Sequence, residues 1–156
     1  MVTSALFLSA IIMGWFLYPA AISSPLVPEH VPLLPTALHN LRVIVFLGTG
    51  GLLLAVPTVL VAAWNAFLAG ALFATVADQP IWWISLSIHG LPELAGQFCG
   101  TVSGLKTATS LIRILAHDHP FRLASPLRWF GLAVVLTLLA AVLEWGVSPL
   151  VAHGIS

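Results

Sequence analysis

Three polar side chains interrupt a long apolar stretch of the sequence at a spacing of four residues: His89, Glu93 and Gln97. Residues four apart lie on the same face of an α-helix, so we expect one polar stripe. Ionisable groups at membrane depth are costly and often mark a proton or ion path or a small-substrate site. The same groups could instead form hydrogen bonds that fix helix register, and the residues alone favour this structural role.

Two further polar residues lie in other apolar segments of the chain. Counting from the segment ends places Glu144 at the depth of His89, and Asn65 at the depth of Gln97. A contact between His89 and Glu144 is therefore expected. Because His89 and Glu93 would both be costly in contact with lipid, we expect both side chains to face the bundle interior. Glu93 should then be hydrogen-bonded to donors such as Asn65, or be protonated.

The sequence carries no pattern typical of an enzyme. It lacks H-E-x-x-H, G-x-S-x-G and a P-loop, and a histidine and glutamate four apart are a weak metal signal. The run 117–119, His-Asp-His before Pro120, could bind a metal but is more typical of a solvated polar loop. We therefore predict a protein that is not an enzyme, with no metal and no other cofactor.

The composition predicts an integral membrane protein. The chain of 156 residues is 60% hydrophobic and 6% charged, with a mean hydropathy of +1.08. Soluble domains carry roughly a quarter charged residues, so lipid is the solvent that suits this surface. Five basic and five acidic residues leave no basic excess, and a nucleic-acid partner is not expected. The single cysteine, Cys99, excludes an intrachain disulfide.

Five apolar segments are long enough to suggest membrane spans, since a spanning helix needs about 20 residues. We therefore predict an all-α, polytopic bundle of about five transmembrane helices, forming a single transmembrane domain over 1–156. A turn between the second and third spans should lie near 57–65, and a broken or re-entrant pair over 41–77 is the alternative. The first segment could be a signal peptide, but 1–5 lacks the expected basic residues. The predicted spans are 5–22, 41–60, 61–77, 81–105 and 127–151.

The basic residues predict the orientation. Lys106, Arg113, Arg122 and Arg128 lie between or beside the last two spans, and basic loops stay in the cytoplasm. The segment 106–126 should therefore be cytoplasmic in the inner (plasma) membrane, with the N-terminus inside and the C-terminus outside. The apolar residues of 105–115 predict either a short helix on the membrane surface or an extension of the fourth helix. The proline-rich segment 23–38 should be external and extended.

Glycines recur on the face of the polar stripe. Gly96, Gly100 and Gly104 form a double small-xxx-small pattern, which lets another helix approach closely. That helix could belong to this chain or to a second copy, so self-association is expected, or contact with another membrane protein. Gly90 and Pro92 suggest a local break of the helix.

The stretch from His39 to Arg113 resembles the stage II sporulation protein M family of membrane proteins. The resemblance is carried by Asn40, the pair Gly50-Gly51, Asn65 followed by Gly70, the motif His89-Gly90-Leu91-Pro92-Glu93, and the trailing Gly100 to Gly104 with Leu105. The sequence departs from the family in three respects. Ile88 stands where a proline is frequent, Ala66 stands where a glycine is frequent, and the external loop after the first span is short.

In spore-forming bacteria the resemblance implies a polytopic scaffold that helps to localise cell-wall hydrolases during engulfment. Many relatives occur in organisms that make no spores. We therefore expect a non-enzymatic scaffold or accessory subunit that assembles or localises a membrane or cell-envelope complex. The alternative is a small transporter or channel component with a His/Glu polar path.

Overall fold

A computed structural model describes residues 2–17, 32–78, 80–117, 120 and 123–147 of the chain. The described residues form helices and connecting turns without a β-strand, which confirms the predicted all-α class. A 3₁₀ turn, Gly50–Leu53, joins the second and third helices. The α-helices are α1 Val2–Leu17, α2 Leu33–Thr49, α3 Val56–Thr75, α4 Pro80–His117 and α5 Ala124–Gly146.

Three stretches in the described part of the chain are long and apolar enough to cross a membrane: Leu33–Leu53, Val56–Thr75 and Ala124–Gly146. α1 is apolar but shorter, and α4 is longer but carries the polar stripe. Large apolar side chains remain exposed on the outside of the bundle. That surface suits contact with lipid rather than water.

Neighbouring helices run in opposite directions along the chain. α1 is antiparallel to α4, because Phe7 packs on Phe98 while Trp15 packs on Trp83, with ring centroids 5.7 and 6.2 Å apart. α5 is antiparallel to α4 as well, since Ser103 bonds to Pro126 near one end and α5 returns from there. The result is an up-and-down bundle in which α4 contacts all four of the other α-helices.

The turn between α2 and α3 lies at 50–55, earlier than the predicted 57–65. Pro57 does not mark the turn; it occupies the first turn of α3, where a missing N–H costs little. Leu54 and Ala55 adopt left-handed conformations, with φ of 54° and 66°, that reverse the chain. Two complete helices therefore occupy 33–75, rather than short broken ones.

The predicted extended segment 23–38 is wrong over its last residues. Pro32 is extended, with φ −69° and ψ 126°, but α2 begins at Leu33 and includes Pro35 in its first turn. Proline is tolerated there because the first N–H groups of a helix have no partner within it. The remainder of that segment, 23–31, lies outside the described residues.

α4 is one continuous helix of 38 residues, so the predicted break at Gly90 and Pro92 is wrong. Pro92 removes one backbone hydrogen bond, to Ile88, and membrane helices tolerate such a loss when neighbours pack around it. The stretch after Gly104 extends the fourth helix and does not form a separate surface helix. Of the run 117–119, residues 118 and 119 lie outside the described part of the chain.

Gly96, Gly100 and Gly104 lie where α4 meets other helices of the same chain. A Cβ at Gly96 would lie 2.6 Å from Thr137 Oγ1 of α5, and one at Gly100 would lie 3.2 Å from Leu47 Cβ of α2. At Gly104 it would overlap the Leu47 carbonyl and lie 2.6 Å from Thr58 Oγ1. The glycines thus allow two crossings at backbone distance.

A further close crossing, between α1 and α3, was not foreseen in the sequence. A Cβ at Gly14 would overlap the backbone of Phe67, and one at Gly70 would overlap that of Ile11. The available signal was the spacing of small residues, since Ala10 and Ala66 each stand four residues before one of these glycines.

We predict that Gly104→Ala destabilises the bundle by about 1–3 kcal/mol, the usual cost of overpacking a close contact. The added methyl group has no room beside the Leu47 carbonyl and Thr58. Gly131→Ala is the matched control, because a Cβ there meets nothing within 4 Å. Unfolding in mixed micelles measures both free energies, and equal values for the two variants would contradict the close crossing.

Candidate functional site

The five polar residues predicted inside the bundle line one cavity. α4 contributes His89, Glu93 and Gln97, α3 contributes Asn65, and α5 contributes Glu144. The cavity has a volume of about 280 Å³. Apolar side chains complete its wall: Leu68, Ala69, Leu72, Phe73, Leu86, Leu94, with Gly90.

A hydrogen bond joins two members of the stripe. Gln97 Nε2 donates to Glu93 Oε1 at 3.1 Å, one turn back along α4. The Gln97 side chain is 5% exposed, and its Oε1 atom has no hydrogen-bond partner among the described residues. A buried acceptor without a partner is unusual in a folded protein, so this atom is suited to a donor that enters the cavity.

The ionisable groups of the cavity interact with one another. His89 is hydrogen-bonded to the backbone of Ser85 and interacts electrostatically with Glu144, as its predicted depth suggested. Glu144 also interacts with Glu93, which is a like-charge contact when both are ionised. No lysine or arginine is among the described residues of the wall. A proton, a small cation or a water molecule could therefore be held here.

The side-chain donor to Glu93 is Gln97, and not Asn65, which the sequence suggested as an example. Asn65 Nδ2 donates instead to the Val61 carbonyl, at 2.9 Å, within its own helix. A side-chain amide can reach the backbone carbonyl one turn earlier in its own helix without any contact with another helix. Depth alone therefore placed Asn65 at the cavity but did not determine its partner.

Two buried threonines near the stripe were missed in the sequence. Thr101 donates to the Gln97 carbonyl at 2.8 Å. Thr137 of α5 is 1% exposed, and its hydroxyl has no partner within the described chain. The signal was helical spacing, because Thr137 stands seven residues before Glu144 and thus shares its face.

The described residues contain no group of three or more His, Cys, Asp or Glu side chains arranged to hold a metal ion. The cavity therefore has the chemistry of a polar pocket with more acceptors than donors. Its groups can accept hydrogen bonds, and its imidazole and two carboxyls are each able to take up or release a proton.

Apolar helices that pack through glycines around a polar cavity define a helical membrane protein. Within that class, the sequence profile described as Stage II sporulation protein M matches residues 3–149. The chain belongs to this family, which confirms the resemblance seen in its central part. Comparison with curated proteins and with solved structures gave no match.

We predict that Glu93→Gln leaves stability nearly unchanged, because the new amide still offers an oxygen to Gln97. Glu93→Leu should cost about 1 kcal/mol or more, since it leaves the Gln97 amide without its partner. The double variant Glu93→Leu/Gln97→Leu should lose less than the sum of its single variants. Additive losses, measured by unfolding in mixed micelles, would show that the two side chains do not interact.

Proposed function

We propose that this protein is a non-enzymatic membrane scaffold or accessory subunit, which assembles or localises a membrane or cell-envelope complex. The observation that carries the proposal is the backbone-close packing of α4 on α2 and of α1 on α3. Helices in such contact cannot slide or tilt without steric overlap, so the bundle is suited to hold a partner in a fixed position. Membership of the family supports the same role.

The proposed topology has five membrane crossings. From Trp83 to Lys106, α4 covers about 35 Å at 1.5 Å per residue, close to the ~30 Å thickness of the hydrocarbon core. Aromatic residues then lie at one interface and basic residues at the other, which is the usual arrangement. With the basic end in the cytoplasm, the N-terminus is inside the inner (plasma) membrane and the C-terminus is outside.

The partner proposed for the scaffold is another membrane protein or a second copy of the chain. The glycine contacts are used within the chain, so they are not free for a partner. An aromatic patch on the outer surface offers a contact instead: Trp64 stacks on Phe67 with ring centroids 5.8 Å apart, and Trp64 is 61% exposed. Exposed aromatic residues are frequent anchors in protein interfaces.

A small transporter or channel component is the second candidate. The observation that favours it is the polar cavity, with interacting His89, Glu93 and Glu144 and the unpartnered Gln97 oxygen. Ionisable residues inside a membrane protein are frequent on proton and ion paths. A transporter or channel component, unlike a scaffold, requires that Glu93 change its charge or its bound ligand during function.

Cross-linking and flux measurements separate the two candidates. A photo-cross-linking residue at Trp64 should capture a defined membrane or envelope protein, or a second copy, whereas one at the buried Ala62 should not. Purified protein in liposomes should show no proton or cation flux above that of empty liposomes. Flux that Glu93→Gln abolishes while stability is kept would contradict the scaffold and favour transport.

The topology predicts that a cysteine at Ser125 is shielded from a membrane-impermeant thiol reagent in intact cells, while one at Ser24 is labelled. The unsubstituted protein is the blank, because its Cys99 is buried. Opening the cells should make the cysteine at 125 reactive, since Ser125 is exposed at the end of the bundle. Labelling of the 125 variant from outside would reverse the proposed orientation.

A further inference from the structure

A second cavity lies at the basic end of the bundle, away from the polar cavity. It occupies about 410 Å³ between the last turns of α4 and the first turn of α5. We call it the basic pocket. It is lined by Lys106, Thr109, Ser110, Arg113, Pro120, Ser125 and Pro126.

One face of α4 supplies most of the polar groups of this pocket. Lys106, Thr109, Ser110 and Arg113 stand at positions i, i+3, i+4 and i+7, which form a single stripe on a helix. The Cα atoms of the two basic residues are about 10 Å apart along the helix axis, and both side chains are exposed. None of the described lining residues is acidic, and two of them, Lys106 and Arg113, are basic.

The opposite wall of the pocket is the beginning of α5. Its N-cap residue is Leu123, whose side chain cannot cap the helix. The first backbone N–H groups of a helix have no partner within it and carry partial positive charge. A buried hydrogen bond from Ser103 Oγ to the Pro126 carbonyl, 2.8 Å long, holds this wall against α4.

The pocket lies at the level of the turn between α2 and α3. The turn after α2 contacts α4 at Gly104 and Thr107, directly beside Lys106. Turns between membrane helices lie near the headgroups. Beside the pocket, Leu127 is 59% exposed at the start of the apolar α5, so an acyl chain could follow this helix into the bilayer.

We propose that the basic pocket binds a phosphate group, and that in the membrane this is the phosphodiester of an anionic phospholipid headgroup. Two cations, neighbouring hydroxyl groups and an uncapped helix start provide donors for phosphate oxygens. Basic pockets between membrane helices are known to hold anionic headgroups. Free phosphate would use the same groups, so the source is tested separately. The inference requires only that the chain lies in a membrane, and not that it acts as a scaffold.

Native mass spectrometry of the full chain in neutral detergent tests the proposal, with phosphatidylglycerol and phosphatidylcholine as probes. The anionic lipid should be retained in preference to the zwitterionic one. Replacing both cations, Lys106→Gln/Arg113→Gln, should weaken that retention roughly tenfold or more. Arg42→Gln is the matched control: it removes an exposed cation from α2, outside the pocket, and should change nothing.

A variant in the other wall keeps the test decisive if the α4 variant folds poorly. Ser125→Asp places a negative charge in the first turn of α5, where acidic residues stabilise a helix, and should also weaken retention. Inorganic phosphate that displaces the lipid in wild-type protein, but binds neither variant, would support the phosphate site and identify a soluble source. Equal retention of both lipids, or retention unaffected by either variant, would overturn the proposal.

Discussion

The structure depends on the close approach of α2, α3 and α4 around Gly104. In lipid, no hydrophobic driving force brings helices together, so their association relies on close packing and hydrogen bonds between them. Here Gly51 faces the Gly104 backbone, and Thr58 donates to the Leu47 carbonyl at 2.9 Å in the fully buried interior. The left-handed residues of the α2–α3 turn carry a local conformational cost that this packing must offset.

The position of the polar cavity follows from that crossing. α2 occupies the glycine face of α4 near Gly100 and Gly104. The polar stripe, which precedes these glycines along α4, therefore faces α3 and α5. α5 then runs back along Gly96, which brings Glu144 beside His89. The same packing thus places the two carboxyls in one cavity. The close helix packing and the cavity lined by ionisable side chains therefore both result from the crossing at Gly104.

The two ends of α4 differ in chemistry because the helix is longer than a membrane crossing. Near its start, Trp83 packs against Trp15 and Phe73 in an aromatic cluster. Past Gly104, α4 continues beyond the turn between α2 and α3, and among the described residues its polar face lies beside Pro120 and the beginning of α5. If α4 ended at the level of the turn between α2 and α3, its part of the basic pocket would be missing.

The sequence by itself determined the helical membrane class, the family, the glycine face of α4 and the residues of the polar cavity. These follow from composition and from a period of 3.6 residues, which are local properties of the chain. Only the tertiary structure decided where the α2–α3 turn lies, whether α4 breaks at Pro92, and which group Asn65 bonds. The crossing of α1 and α3 at Gly14 and Gly70 and the basic pocket also belong to the tertiary structure. Each of these depends on which groups of distant segments meet, and a local pattern permits several such pairings with similar energy.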